Sequence, residues 1–140
     1  MKQLVISVML TFVAMQLVHA ESICDARVSL TDARLNLMMM VISIDTEEQD
    51  AFKIYIDKAS QELERVIQVM LTDENRTDDA QLTILQKTWA EFKNTRETEI
   101  IPAIRADDYD KAMAIATGIQ AKRMKIMNQT IQALNGDNCN

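Results

Sequence analysis

The stretch Phe52–Met70, FKIYIDKASQELERVIQVM, sets Phe52, Ile56, Ala59, Leu63, Val66 and Met70 at intervals of 4-3-4-3-4. This is the heptad spacing that lines one face of an α-helix and seals it against its neighbours. Just upstream, Asp45-Thr46-Glu47-Glu48-Gln49 reads as a turn and a new start. Thr46 with Gln49 three residues on matches a capping box, and the acidic pair suits the positive end of a helix dipole.

Before that turn a first helix is expected from about Cys24 to Ile44. Leu30, Ala33, Leu37, Met40 and Ile44 follow a 3-4-3-4 spacing, and a second stripe, Leu35, Met38 and Ile42, broadens that face. From Leu37 to Ile44 the helix is apolar nearly all round. Two readings follow: a wide core face, or a face that packs partly on a second subunit.

After the second helix, Thr72 to Asp79 contains no apolar residue and reads as a loop. Leu82, Leu85, Trp89 and Phe92 at 3-4-3 spacing begin a third helix. Pro102 is expected to kink it or end it nearby, because proline lacks a backbone donor and crowds the preceding turn. Asp107-Asp108-Tyr109-Asp110 reads as a tight turn and cap. The fourth helix carries Ala112, Ile115, Ala116 and Ile119, then Met124, Met127, Ile131 and Leu134, with Gly136 as an end signal.

Four helices, at about 24–44, 47–71, 79–105 and 108–135 of a domain spanning 21–140, with short connections, predict an all-α, antiparallel up-down-up-down four-helix bundle. Composition agrees: Gly occurs twice, Pro once, and aromatics make up 4%, too little turn chemistry for a sheet. The start of the first helix and the end of the fourth then lie at one end of the bundle, which brings Cys24 together with Cys139. In an exported chain such a pair is expected as a disulfide. Without a histidine, two cysteines do not complete a zinc site.

Export is read from residues 1–20. Lys2 gives a positive start, Leu4 to Val18 is apolar except for Ser7, Thr11 and Gln16, and Val18-His19-Ala20 suits cleavage before Glu21. The rival reading is an uncleaved anchor, for which the stretch is short. Cleavage removes the only histidine and one of 15 basic residues, leaving 14 against 21 acidic ones and a formal charge of −7. Such a chain is repelled by nucleic acid and by anionic lipid. No second stretch is long enough to span a membrane.

The residues argue against catalysis. A mature chain without histidine lacks the usual general base, and no Gly-rich phosphate loop or serine elbow occurs. The acidic pairs Glu47-Glu48, Asp78-Asp79 and Asp107-Asp108 sit at helix starts, where capping explains them. Haem binding in a bundle requires an axial histidine, and no cofactor is expected. Met38, Met39, Met40, Met113, Met124 and Met127 suggest soft-metal handling as a minor reading, with core packing the main one. Asn75 with Thr77 and Asn128 with Thr130 match the glycosylation pattern by chance.

Three arginines, Arg27, Arg34 and Arg96, are the best candidates for a ligand site. Arg27 and Arg34 are one heptad apart, hence on one face of the first helix. Arg96 continues the stripe Leu85, Trp89, Phe92, and a guanidinium at such a seam must be paired or must reach solvent. Each offers a planar fork for a carboxylate. The plainer alternatives are local pairs: Asp32 or Glu47 for the first two, Glu97 or Glu99 for Arg96.

The run Asp32-Ala33-Arg34-Leu35-Asn36-Leu37-Met38-Met39-Met40, the acidic turn, and the helix ending Leu63-Glu64-Arg65-Val66-Ile67 together resemble the extracytoplasmic four-helix-bundle sensor domain of methyl-accepting chemotaxis receptors. Trp89-Ala90-Glu91-Phe92, Arg96, and the turn Ala106-Asp107-Asp108-Tyr109-Asp110-Lys111-Ala112 before a long helix are similar to the later helices of that family. The likeness covers about residues 28–135. It implies sensing outside the cytoplasm, here in a bacterial periplasm, by a homodimer. It also implies that Arg27 and Arg34 bind a small acidic ligand. Receptors of the family continue into a second membrane span, a linker and a cytoplasmic hairpin, whereas this chain stops at Asn140, and the cysteine pair is foreign to the pattern. The expected function is therefore a stand-alone sensor of a small ligand or a partner protein. A structural or adaptor bundle that takes no small ligand is the alternative.

Overall fold

A computed structural model describes residues 22–75, 79–134, 138 and 139. They form four antiparallel helical rods in up-down-up-down order. The first is α1 (Ile23–Ile42) and the second α2 (Thr46–Leu71). The third is α3 (Asp79–Thr95), continued through a π-helical turn (Arg96–Ile100) into α4 (Ile101–Arg105). The fourth is α5 (Tyr109–Thr117) followed, after Gly118, by α6 (Ile119–Ala133). The expected cleavage segment, the middle of the loop between α2 and α3, and Gly136 lie outside the described residues. None of the described helices is long and apolar enough to cross a membrane.

Local chemistry sets the rod ends. Ser22 caps α1 with a full capping box: the Asp25 carboxylate accepts from the Ser22 N–H at 2.9 Å while the Ser22 hydroxyl accepts from the Asp25 N–H. At α2 the structure corrects the expected cap. Asp45, not Thr46, accepts from the Glu48 N–H at 2.9 Å. Gln49 turns inward instead, buried, and its amide donates to the Ser43 carbonyl at 2.8 Å. Asp108 caps α5 by accepting from the Lys111 N–H, and the preceding Asp107 takes a positive φ of 57° to turn the chain.

The core is the set of heptad stripes turned toward one another. Leu30, Ala33, Leu37 and Met40 of α1 meet Ile56, Leu63, Val66 and Met70 of α2, with Leu82, Leu85, Trp89 and Phe92 of α3, Met127 and Ile131 of α6, and Leu134 just after α6 closing the interior. Trp89 and Phe92 stack with ring centroids 5.5 Å apart. At one end the disulfide Cys24–Cys139 joins the first rod to the end of the chain, with Cα atoms 5.3 Å apart.

Four residues of the expected apolar stripes stand exposed. Ile44 is 84% exposed, because α1 ends at Ile42 and Ser43 caps it in an extended conformation that carries Ile44 off the helical face. Leu35 and Ile42 also stand exposed, while Met38 of the same stripe packs against the core. Ile119 is exposed while its neighbour Gln120 is fully buried. Gly118, with a ψ of −100°, interrupts the fourth rod just before Ile119, while Met127, Ile131 and Leu134 beyond it reach the core as expected.

Pro102 does not end the third rod. The helix widens one turn ahead of it, and the Arg96 carbonyl accepts from the Ile101 N–H, five residues on. A π turn at this point absorbs the crowding a proline ring imposes on the preceding turn.

Candidate functional site

α1 presents two faces to the outside. Arg27 lies on the side turned toward α6. It lines a cleft of about 530 Å³ beside the disulfide, with Thr31, Asp32 and Asn138, and a second of about 320 Å³ with Thr31, Asn128 and Gln132. Thr31 is held in place by donating to the Arg27 carbonyl at 2.8 Å.

Arg34 sits one heptad further along and is half-buried. Its Nη1 is buried and has no hydrogen-bond partner among the described residues. Burial pushes this guanidinium below its ordinary pKa. A buried donor left unpaired costs about 1–3 kcal/mol.

The second outward face of α1 is apolar. Val28, Leu35 and Ile42, spaced by seven, are 61%, 57% and 58% exposed, and Met39 stands beside them. On α2, Tyr55 is exposed as well and joins Val28 at the rim of an α1–α2 groove of about 350 Å³. An exposed apolar stripe of this kind is a candidate surface for contact with another molecule.

Arg96 belongs to neither face. It is fully buried between α2 and α3. Its Nη1 donates to the Ser60 hydroxyl at 2.9 Å, its Nε donates to Glu97 at 2.8 Å, and its plane lies over the Trp89 ring at 5.6 Å. Nη2 is 2.8 Å from the same Glu97 oxygen, an ion-pair contact off the direction of a hydrogen bond. Of the two local partners considered from the sequence, Glu97 is the one used.

Next to it, Glu64 accepts from the Trp89 indole at 3.0 Å and from Lys93 at 2.6 Å. Burial pushes the Glu64 carboxyl up. The hydrogen bonds from Lys93 and Trp89, with the charges of Lys93 and Arg96, outweigh this and hold it below the ordinary carboxylate range.

Among the methionines, Met40 and Met127 are fully buried in the core, Met38, Met113 and Met124 pack against it, and Met39 is partly exposed. No group of three or more histidine, cysteine, aspartate or glutamate side chains among the described residues is arranged to hold a metal ion. Two features escaped the sequence reading. The outward stripe Val28, Leu35, Ile42 had a visible signal in its seven-residue spacing. Buried Gln120 with its partly buried neighbour Arg123 had one in Gly118, a glycine inside an otherwise helical pattern.

Compared with known proteins, residues 6–139 match the family model described as a four helix bundle sensory module for signal transduction. No curated protein and no solved structure matches the chain.

Proposed function

Because this chain belongs to the family of four-helix-bundle sensory modules for signal transduction, we propose that it is exported to the periplasm, with residues 1–20 as its signal peptide, and senses there as a homodimer. The first helix does the receiving. Arg27 and Arg34 take the carboxylate of a small acidic ligand, and the stripe Val28, Leu35, Ile42 packs on a second copy. Arg96, closed in by Ser60, Glu97 and Trp89, serves as an internal strut.

The observation that carries this reading is the half-buried Arg34, one heptad from Arg27, whose Nη1 has no hydrogen-bond partner among the described residues. An acidic ligand would supply the missing acceptor, and a guanidinium partly removed from water binds a carboxylate more strongly than one on an open surface. The acidic balance of the chain supports a small ligand over a polyanion.

A thermal-shift screen against organic acids and acidic amino acids tests the reading, because a ligand that binds only the folded form raises the Tm. The expected result is a shift with at least one acid that is lost in both Arg27→Gln and Arg34→Gln. An acid shift that survives both substitutions removes the site assignment. The exposed stripe on α1 also favours a second reading, an adaptor that docks another protein. A null screen together with tight capture of a different protein would replace sensing of a small ligand with that role.

A further inference from the structure

The third and fourth rods each depart from regular α-helix once, and the departures bracket one segment. The π turn Arg96–Ile100 comes before α4, and Gly118 comes after α5. The hairpin between them, Ile101–Thr117, forms one end of the bundle, opposite the disulfide. On the disulfide side of the two breaks the rods are pinned to each other by buried polar bonds. Gln120 donates to the Phe92 carbonyl at 2.8 Å, and Arg123 donates to the Thr95 hydroxyl at 2.8 Å. Arg96 adds its bond to Ser60 of α2.

Beyond the breaks the attachment changes character. The hairpin buries Ala103, Ile104, Ala112 and Ala116, where the rest of the same two rods bury Leu82, Leu85, Trp89, Phe92, Met127 and Ile131. Ile101, Tyr109, Met113 and Ile115 pack against the core only partly buried, and alanines remove little apolar area from water, so this end gains less from burial than the rest of the two rods. Polar contacts to α2 make up the hold. Arg105 pairs with Asp50 and donates to the Gln49 side chain, while the Gln49 amide reaches the Tyr109 hydroxyl at 3.4 Å. A segment with a thin apolar base and breaks at both roots has the makings of a unit that opens by itself.

We propose that Ile101–Thr117 is a hinged cap that opens as a unit about the π turn and Gly118, with Arg105, Asp50 and Gln49 as its latch. Opening swings the cap off the start of α2 while the bonds of Gln120, Arg123 and Arg96 keep the rest of the bundle closed. The device stands apart from the ligand reading, since it involves neither Arg27 nor Arg34.

Hydrogen exchange on the intact, disulfide-bonded protein, read peptide by peptide, tests it. Amides of residues 103–117 are expected to exchange together and faster than those of 82–95 and 123–133, by about tenfold or more. Arg105→Gln removes an exposed ion pair and should speed the cap by a further factor of roughly two to five, with the other two segments unchanged. Cap amides protected as long as those of α3 and α6 would overturn the proposal. So would an Arg105→Gln effect spread equally over all three segments.

Discussion

The α1–α2 hairpin runs through both of its helices without a break, whereas the two rods that complete the bundle are interrupted at the π turn and at Gly118. The first half is sealed by large apolar side chains in strict register and turned by three residues. The second half spends buried space on Arg96 and Gln120, which reach across to Ser60 and to the Phe92 carbonyl. The difference teaches where each kind of force acts. Apolar register alone fixes a straight helical pair. Where helices bend or widen, buried polar groups decide the geometry, since each must find a partner.

Reducing the Cys24–Cys139 bond, which ties the start of the first half to the end of the second, should have the largest effect. The chain-entropy model gives about 4–5 kcal/mol for a loop of this length. A reduced protein that melts within a few degrees of the oxidised one would show that the two halves hold together without it. Leu63→Ala comes next. Leu63 is fully buried in the regular half, and the loss should be about 2–5 kcal/mol by denaturant titration.

Gly118→Ala probes the irregular half. A Cβ at that position would lie 2.7 Å from the Ala114 carbonyl oxygen, so the break must rearrange, at about 1–3 kcal/mol. An unchanged midpoint would mean that the break does not depend on Gly118. Lys93→Ala, which removes a half-exposed partner of Glu64, should cost about 0.2–1 kcal/mol.

The smallest expected effect is a pH dependence at Glu64. Its folded pKa is lowered, so its contribution is fully present above the ordinary carboxylate range and is lost as pH falls through the lowered value. Trp89, the only tryptophan, donates to Glu64 and reports the step by fluorescence. Glu64→Gln should abolish that acid transition.

The regular half was the readable one. The run from Phe52 to Met70 places Ile56, Leu63, Val66 and Met70 in the core because a heptad stripe on an unbroken helix admits one solution. α1 is harder: it carries two apolar stripes, and periodicity alone leaves Leu35 and Ile42 open between the core and a face packed on a second subunit. Ile119 was misplaced because a pattern that assumes continuity does not register a break at Gly118. The π turn was hidden for a related reason. Proline forecasts trouble in a helix, but whether the chain kinks, stops or widens depends on what Arg96 and Ile100 pack against. Within the candidate site, the spacing of Arg27 and Arg34 puts them on one face, while the clefts beside Arg27 exist only once α6 and the disulfide are in place.

The most direct test of a two-faced α1 is sedimentation equilibrium on the purified oxidised protein and on Leu35→Glu, with helicity checked by circular dichroism. The account predicts a wild-type dimer and a monomeric variant of unchanged helix content. A wild-type protein that stays monomeric across the micromolar range, or a variant that dimerises as well as the parent, would contradict it.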